Sequence, residues 1–346
     1  MDAKQINVLF LTHRDIKQAS SRFRAYQYAE LLESRGFNCH VSPLPEKGVL
    51  RRLFYLTAVL FRVPANDIVV IQKILFARPI LYVLRLLNNN IIFDWDDALY
   101  AAPPSNVLLG IDLKKRVKRL NYTLRTSKSI MCGNRTLWEY SLKYNNNAHV
   151  IPTAIDTDML TVGKKRKSDS CIIGWIGKSE NLEYLLELED VFRALYERYG
   201  SSVCLRVVSN KSFYSHSGMD IINKKWRLAE EISDIQSFDI GIMPLDDNEW
   251  SRGKCAFKAL QYMAAGVPCV ASPVGANNEV VKNGYNGYLA DSPQEWIECL
   301  SSLIDDADIR ASLGEHGRKH VLKEYSIRSN IDKLTRLFYD SLGIGK

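Results

Sequence analysis

Three aspartates lie within four positions at the end of a predicted buried strand. The stretch 91–97 reads Ile-Ile-Phe-Asp-Trp-Asp-Asp, and its opening apolar run is typical of a strand inside a parallel sheet. Carboxylates this close repel one another, so at least one needs a cationic or hydrogen-bonding partner. Such a cluster can bind Mg²⁺, orient a hydroxyl group or act as a general base. A purely structural role, in capping or fixing a loop, is an equally open interpretation.

A glycine turn, a predicted helix and a second glycine turn occupy residues 253–266. If the helix begins near Lys254, its free backbone N–H groups and positive dipole end form an anion site. Lys254 and Lys258 are four positions apart, which predicts two ammonium groups along one face of that helix. Gln261 continues the face and could hydrogen-bond a sugar hydroxyl. An ordinary helix carrying two solvated lysines is the competing interpretation.

The loop after the first predicted strand carries polar and basic groups. His13 and Arg14 lie at its start, and Ser21 and Arg22 lie at its end. Loops in this position border the ligand cleft of open α/β sheets, and arginines there suit an anionic ligand. We therefore predict that these four residues border a ligand cleft; the resemblance described below implies that they lie on its acceptor side.

Two predicted helices in the first half, at 49–63 and 78–87, combine large apolar side chains with arginines. Helices of this composition are typical of a surface that rests on an anionic bilayer. Core helices that extend their arginines to solvent have the same composition. The sequence leaves both interpretations open.

Predicted strands and helices alternate along the chain, which predicts parallel sheets with helices on both faces. The basic stretch 163–170 contains nothing that could be buried and is predicted as a linker. We therefore predict an α/β protein with two doubly wound domains, at 1–162 and 171–325, that face each other across a cleft. Residues 326–346 are predicted as a helix that packs back toward the first domain.

Composition and charge exclude several classes of protein. The chain has 346 residues, of which 46% are hydrophobic and 25% are charged, as in ordinary globular proteins. No apolar run reaches the ~18 residues that span a bilayer, and the N-terminus lacks a secretory signal. Seven scattered cysteines, never spaced as CxxC, indicate reduced thiols in a cytoplasmic protein without a structural zinc site.

The two halves of the chain differ in charge. Residues 1–163 carry a net charge of +9, whereas residues 164–346 carry −2. A basic half is compatible with nucleic acid, an anionic membrane surface or a phosphorylated substrate. Its basic residues form no recognised nucleic-acid-reading module, so we expect no nucleic-acid partner.

The string QYMAAGVPCVASPVGANNEVVKNGYNGYLA, which begins at Gln261, is long and ordered. It resembles the donor-binding half of family-4-type glycosyltransferases of the GT-B fold. GWIGKSENLEYL at 174–185 and FDIGIMPLDDNEW at 238–250 are similar to a subgroup involved in bacterial surface polysaccharides. The resemblance is strong over about 170–330 and weaker over 1–160. It implies two Rossmann-like domains and transfer with retention of configuration.

The resemblance also implies where a nucleotide-activated sugar binds. Its diphosphate would lie at the start of the helix after Gly253, and Lys178, after the glycine turn at Gly177, is implied as a second phosphate contact. We add Arg206, on the strand at 203–208, to the donor-binding candidates.

The implied chemistry needs no metal ion and no other cofactor. Lys254 and Lys258 would stabilise the leaving diphosphate, because cations that strengthen their hold as charge develops lower the barrier. In related enzymes the strand end that carries Asp96 and Asp97 faces the reacting carbon, so these two are implied as catalytic groups on the acceptor side.

The sequence departs from the family at one pair of positions. Members commonly carry two glutamates eight positions apart, the first for the donor sugar and the second for the ribose; here those positions are Gly253 and Gln261. Gln261 can still hydrogen-bond a ribose hydroxyl, whereas Gly253 cannot replace a carboxylate. Asp246, Asp247 or Glu249 could supply the missing group, although a run of acids is also typical of a solvated loop.

These observations predict a glycosyltransferase that moves a sugar from a nucleoside diphosphate to a glycan or lipid-linked acceptor. A cytoplasmic location follows, peripheral at the inner face of the membrane if the basic helices bind lipid. A non-catalytic subunit that binds nucleotide sugar or glycan is the main alternative, since the first glutamate is missing. A nucleotide-sugar epimerase is disfavoured because its motifs are absent.

Overall fold

The computed structural model of the chain describes residues 5–102, 112–163 and 170–344. Two six-stranded parallel sheets follow one another along the chain, and each is covered by helices. The predicted α/β architecture is therefore confirmed. We call each sheet with its covering helices the first and the second lobe. Most of the predicted linker, 164–169, lies outside the described residues.

The first lobe is built on strands with long apolar runs. The strands are β1 (Ile6–Thr12), β2 (Phe37–Pro43), β3 (Ile68–Gln72), β4 (Ile91–Trp95), β5 (Ser129–Cys132) and β6 (Ala148–Val150). Their order is β2-β1-β3-β4-β5-β6, and all neighbours run parallel. Every residue of β3 and β4 is buried, because helices cover both faces of the sheet.

Two helices of the first lobe begin at polar side chains that cap free N–H groups. Asp112 accepts a hydrogen bond from the backbone of Lys115, and Asn134 does the same for Leu137. The helices are α1 (Ala19–Ser21), α2 (Gln27–Glu33), α3 (Val49–Arg62), α4 (Arg78–Leu87), α5 (Leu113–Thr126) and α6 (Arg135–Leu142). A π-helical turn over Arg22–Tyr26 joins α1 to α2, so one continuous helix follows β1.

The second lobe repeats this plan. Its strands are β7 (Cys171–Ile176), β8 (Val203–Ser209), β9 (Asp220–Lys225), β10 (Ile240–Met243), β11 (Cys269–Ala271) and β12 (Tyr288–Leu289), in the order β12-β11-β10-β7-β8-β9. The sequence analysis missed β9, because this edge strand has no buried residue and reads as a polar segment.

The helices after β7 correct one prediction. Those of the second lobe are α7 (Glu183–Leu186), α8 (Glu189–Tyr199), α9 (Glu231–Gln236), α10 (Glu249–Arg252), α11 (Phe257–Ala264), α12 (Asn277–Val280), α13 (Pro293–Asp305) and α14 (Ala307–His320), and α15 (Ile327–Leu342) follows them in sequence. The helix predicted from near Lys254 begins instead at Phe257, and Gly266, with a φ of +72°, follows its end.

The last helix, α15, packs on the first sheet although it follows the second lobe in sequence. The Phe338 ring lies 6.4 Å from that of Phe10 and 5.7 Å from that of Phe37, between ring centroids. Just before α15, the Arg318 guanidinium donates to the backbone oxygens of Thr157 and Leu160. These contacts tie the end of the chain to the segment that leaves the first lobe.

Candidate functional site

The two lobes meet at the carboxyl ends of their strands, where the loop 253–256 touches the first lobe. The Cys255 thiol donates to the backbone oxygen of Asp96 at 3.3 Å. The Asn134 amide donates to the backbone oxygen of Lys254 at 3.0 Å. The structure thus brings the predicted donor loop beside the aspartate cluster, although about 160 residues separate them in sequence.

Gly253 lies at the closest approach between the lobes. A Cβ atom there would be 2.4 Å from Cβ of Ala98 and 2.7 Å from its backbone nitrogen. Distances this short exclude any larger residue unless the lobes move apart. Gly253 therefore serves the contact between the lobes, and a glutamate side chain would not fit at this position; a backbone contact of Gly253 with a donor remains a prediction.

Asp94 belongs to a fully buried ion pair. The Arg24 Nε donates to both carboxylate oxygens at 2.9 Å, and both side chains are 1% exposed. Arg24 also donates to the backbone oxygen of Ile151 at 2.9 Å. Burial raises the pKa of Asp94, and the adjacent guanidinium opposes that rise. Asp94 is therefore paired and inaccessible to a ligand, so Asp96 and Asp97 are the aspartates of this cluster that can face the cleft.

Asp96 and Asp97 share the ammonium group of Lys73. The Lys73 Nζ lies 2.9 Å from Oδ1 of Asp96 and donates to Oδ2 of Asp97. The Asp97 side chain is 33% exposed, whereas that of Asp96 is 10% exposed. Burial acts to raise the pKa of Asp97, but the charges of Lys73 and Lys254 outweigh it and lower that pKa. Asp97 is therefore an ionised carboxylate at the edge of the cleft.

Lys254 projects into a polar and aromatic pocket of the second lobe. Its Nζ donates to Oδ1 of Asn181 at 3.2 Å. It lies 5.6 Å from the ring centroid of Tyr184 and 5.7 Å from that of Trp250. Within the described residues it forms no ion pair, so an anion would find this ammonium group uncompensated. Burial lowers the pKa of Lys254.

Lys258 and Lys178 complete the group of cleft cations. The Lys258 Nζ lies 5.4 Å from the ring centroid of Trp175, and burial together with the charge of Lys254 lowers its pKa to about 7. Gly177 permits this approach, since a Cβ there would be 3.0 Å from Cε of Lys258. Lys178 donates to Oε1 of Gln18 in the first lobe at 2.6 Å, and burial lowers its pKa.

The lysines come together in a different way from the one predicted. Lys254 lies in the loop before α11, and Ala256, with a φ of +51°, turns the chain into the helix. The two lysines therefore do not lie along one helical face. The left-handed turn brings them close enough for the charge of Lys254 to depress the pKa of Lys258.

Arg22 and Gln261 both bind the carboxylate of Glu231 and do not face the cleft. The Arg22 guanidinium donates to both carboxylate oxygens of Glu231, at 2.7 and 2.8 Å. Gln261, which is 4% exposed, donates to the same carboxylate at 3.1 Å, and Trp226 donates at 2.9 Å. Arg22 is thus neutralised across the lobes, which corrects its prediction as a free acceptor-side cation, and the amide of Gln261 is not free for a ribose.

The other predicted acceptor-side residues lie around Gln72. The Ser21 hydroxyl is buried and donates to Oε1 of Gln72 at 3.2 Å, and the backbone of His13 donates to the same oxygen at 3.2 Å. Ser21 is therefore structural, contrary to its prediction. Burial and the nearby charge of Arg14 lower the pKa of His13 to about 4, so its ring is neutral at physiological pH. Arg14 is half-buried and lies 3.4 Å from Glu46.

Arg206 lies outside this group. It stands in the middle of β8, three residues before the end of the strand, and donates to Oγ of Ser237 at 2.8 Å. The structure therefore does not bring it to the lysines, contrary to its prediction as a donor contact.

The acids considered as substitutes for the missing glutamate are exposed in the loop before α10. Asp247 is paired with Arg252 at 2.6 Å, while Asp246 raises the pKa of Glu183, which burial also raises. Glu249 is exposed on the first turn of α10. In the described part of the chain, no group of three His, Cys, Asp or Glu side chains is arranged to hold a metal ion.

Sequence reasoning missed Lys73 and Glu231. A signal for Lys73 existed, because three clustered aspartates demand a cation and Lys73 directly follows the neighbouring strand β3. Glu231 gave no comparable signal, since it lies 209 positions from Arg22.

Comparisons with known proteins match this chain to glycosyltransferases. Residues 170–306 match the family model described as Glycosyl transferases group 1. A D-inositol 3-phosphate glycosyltransferase of Corynebacterium urealyticum is 24% identical over 220 residues, 55% of this chain and 50% of that protein. The N-acetyl-alpha-D-glucosaminyl L-malate synthase of Bacillus anthracis is 28% identical over 85 residues, 24% of this chain and 22% of that protein. The chain thus spans about half, or less, of the length of these curated relatives.

Solved structures match nearly the whole chain at low identity. Sucrose-phosphate synthase from Thermosynechococcus elongatus superposes with a TM-score of 0.75 at 12% identity, covering 99% of this chain and 100% of that one. Anabaena HepE, solved in complex with UDP and glucose, superposes with a TM-score of 0.73 at 12% identity, covering 96% and 99%. Residues 170–306 thus match the glycosyl transferases group 1 model, and the chain as a whole shares the two-lobed fold of these solved structures.

Proposed function

We propose that this protein is a glycosyltransferase that moves a sugar from a nucleoside diphosphate to a glycan or lipid-linked acceptor in polysaccharide biosynthesis, with retention of configuration. The observation that carries the proposal is the convergence of Lys178, Lys254 and Lys258 on one side of the cleft. Their positive charges lie opposite Asp97, at the edge where open α/β sheets bind ligands. The complex of the structural neighbour HepE with UDP and glucose supports a donor of this class.

The three lysines suit a diphosphate leaving group. As the bond between the anomeric carbon and the phosphate oxygen breaks, negative charge grows on the diphosphate. Cations already in place in a partly buried site stabilise that charge without rearranging solvent. We propose that they do so in place of a metal ion.

A non-catalytic subunit that binds nucleotide sugar is the second candidate. It is favoured by the contact of Gly253 with Ala98, which leaves no room for the carboxylate that related enzymes direct at the donor sugar. The two candidates differ in turnover, because only an enzyme releases the nucleoside diphosphate.

A thermal-shift panel of nucleotide sugars tests donor binding, since ligands of the native state raise its apparent stability. We expect UDP or another nucleoside diphosphate to stabilise the protein and Lys254→Ala to weaken its affinity at least about tenfold, from loss of one charge-assisted contact. Lys323→Ala is the matched control, because the Lys323 side chain is 82% exposed in the segment between α14 and α15. Slow release of nucleoside diphosphate supports the enzyme, whereas tight binding without release on any acceptor supports the binding subunit.

The first lobe offers a surface for an anionic membrane. Phe54 and Phe61 of α3 are 75% and 79% exposed, and Leu86 of α4 is 69% exposed. Core helices would bury such side chains, so this exposure favours the membrane interpretation of the two left open by the sequence. Arg51 and Arg52 lie exposed on the same helix and would contact acidic headgroups. We propose that these helices rest on the inner face of the membrane, where a lipid-linked acceptor is available.

Among the described residues, no helix is both long and apolar enough to cross a bilayer. Flotation with phosphatidylglycerol vesicles tests the surface attachment. We expect binding that weakens with salt and is lost in a Phe54→Ser, Phe61→Ser variant, because both apolar contact and charge contribute. Tyr214→Ser is the control, since Tyr214 is 79% exposed on the other lobe. Equal binding to neutral phosphatidylcholine would contradict the proposal.

A further inference from the structure

Lys73 holds an unusual position between two strands of the first sheet. It directly follows β3, with a φ of +57°, and its backbone nitrogen donates to the oxygen of Asp94 at 2.8 Å. A left-handed backbone is unfavourable for a lysine, so the surrounding structure must hold it there. The turn directs the side chain under Asp96 and Asp97, where only 9% of it is exposed.

The cations around Asp97 come from several elements. Those that influence it electrostatically lie on α5, after β7 and around the start of α11. They are Lys178, Lys254, Lys258 and Arg116, while the His13 ring after β1 also senses Asp97 but is neutral at physiological pH. Lys73 differs from them because it contacts both carboxylates directly.

Donor binding changes the net charge around Asp97. The three lysines of the second lobe are those that we assign to the diphosphate, and the negative charge of the diphosphate offsets theirs. Lys73 lies behind the carboxylates and keeps its contact with them. It is then the cation that compensates Asp97 while the donor is bound.

Asp96 and Asp97 are not equivalent toward the cleft. Both contact Lys73, but the Asp97 side chain is about three times as exposed as that of Asp96. Asp97 is thus the carboxylate that an acceptor hydroxyl can reach, while Asp96 fixes the ammonium group from the buried side.

We propose that Lys73 is a positioning residue that holds Asp97 ionised at the cleft, where Asp97 accepts a hydrogen bond from the acceptor hydroxyl and orients it for transfer. In that step the hydroxyl oxygen bonds to the anomeric carbon on the face from which the diphosphate leaves, as retention requires, and the bond from that carbon to the phosphate oxygen breaks. The electron pair leaves with the nucleoside diphosphate, and the hydroxyl proton goes to the departing phosphate oxygen. This inference rests on the proposed function.

Carboxyl NMR of the full chain, labelled with ¹³C-aspartate, tests Lys73 without any substrate. Asp97→Asn assigns the resonance, and each protein is titrated with and without saturating UDP. We expect Asp97 in Lys73→Met to titrate about two pH units higher than in the wild type, because an adjacent opposite charge is lost. Lys73→Arg keeps the charge and should restore a low midpoint. Methionine has a similar length and meets the same backbone constraint, so it is a matched replacement.

The pH profile of UDP release from UDP-glucose provides the functional readout. We expect the acid limb in Lys73→Met to move upward with the Asp97 titration, while the donor KM stays within about threefold, since Lys73 does not bind the diphosphate. An Asp97 midpoint within about half a unit of the wild type, or a loss of rate that is equal at every pH, would overturn the role of Lys73. Failure of the wild type to bind any nucleoside diphosphate of the thermal-shift panel would instead overturn the proposed function.

Discussion

The charged side chains on the two sides of the cleft differ in whether they have partners of opposite charge. On the first lobe the three clustered aspartates all have cation partners within the lobe: Arg24 pairs with the buried Asp94, and Lys73 is shared by Asp96 and Asp97. On the second lobe, Lys254 and Lys258 form no ion pair with any described residue and contact only polar or aromatic groups. Carboxylates that already have cation partners are stable without a ligand, whereas half-buried cations without an ion-pair partner are stabilised by an anion. The comparison therefore supports the proposed binding of an anionic donor at the second lobe.

The largest expected effect comes from removing one partner of the buried ion pair between Arg24 and Asp94 in the first lobe. Asp94→Asn removes one partner of a fully buried pair and leaves the Arg24 charge without a counter-ion. We expect a loss of about 3–5 kcal/mol in the free energy of unfolding, measured by urea denaturation. Asp247→Asn, which removes one partner of an exposed pair, is the control and should cost less than about 1 kcal/mol. Similar losses in both variants would refute the distinction.

A smaller effect is expected where charge is neutralised between lobes rather than within one. Glu231→Gln leaves Arg22 nearly buried and keeps the hydrogen-bonding shape, so we expect a loss of about 2–3 kcal/mol in the same assay. Small-angle scattering should also show a wider separation of the lobes. Unchanged scattering together with unchanged stability would show that this pair does not hold the closed arrangement.

The lobe contact at Gly253 tests whether the two surfaces must touch. Gly253→Ala places a Cβ 2.4 Å from that of Ala98, and we expect a cost of about 1–3 kcal/mol from overpacking. Adding Ala98→Gly should recover only part of it, because the backbone nitrogen of residue 98 remains 2.7 Å away. Differential scanning calorimetry measures both variants, and a neutral Gly253→Ala would contradict the tight contact.

The smallest effect concerns the uncompensated side and appears as a pH dependence. Lys258 has a pKa of about 7 in the free protein, so it is charged below pH 7 and largely neutral above it. A bound diphosphate favours the charged form, so binding above pH 7 takes up a proton. UDP affinity measured by calorimetry should then fall by up to about tenfold per pH unit between pH 7 and 9. The slope should be much weaker in Lys258→Met; an equal slope would assign the proton to another group.

Much of the fold and part of the site could be predicted from local sequence. Strands with continuous apolar runs and the glycine stop at Gly266 identify the parallel sheets, because burial and backbone conformation depend on residues close in sequence. The edge strand β9 escaped this reasoning, because it has no buried residue and only two apolar residues, Ile221 and Ile222. Among the site residues, Asp96, Asp97, Lys254 and Lys258 do converge, since strand ends and following loops meet at one edge of a sheet.

The sequence by itself determined which charges exist and which strand ends carry them. The tertiary structure alone decided which charges are already used. Arg22 was predicted to contact a ligand, yet it forms an ion pair with Glu231, which is 209 positions away in sequence. Asp94 forms an ion pair with Arg24 in the same lobe. The physical reason is that the availability of a charge depends on what lies within a few ångströms in space. Local sequence carries little information about that distance.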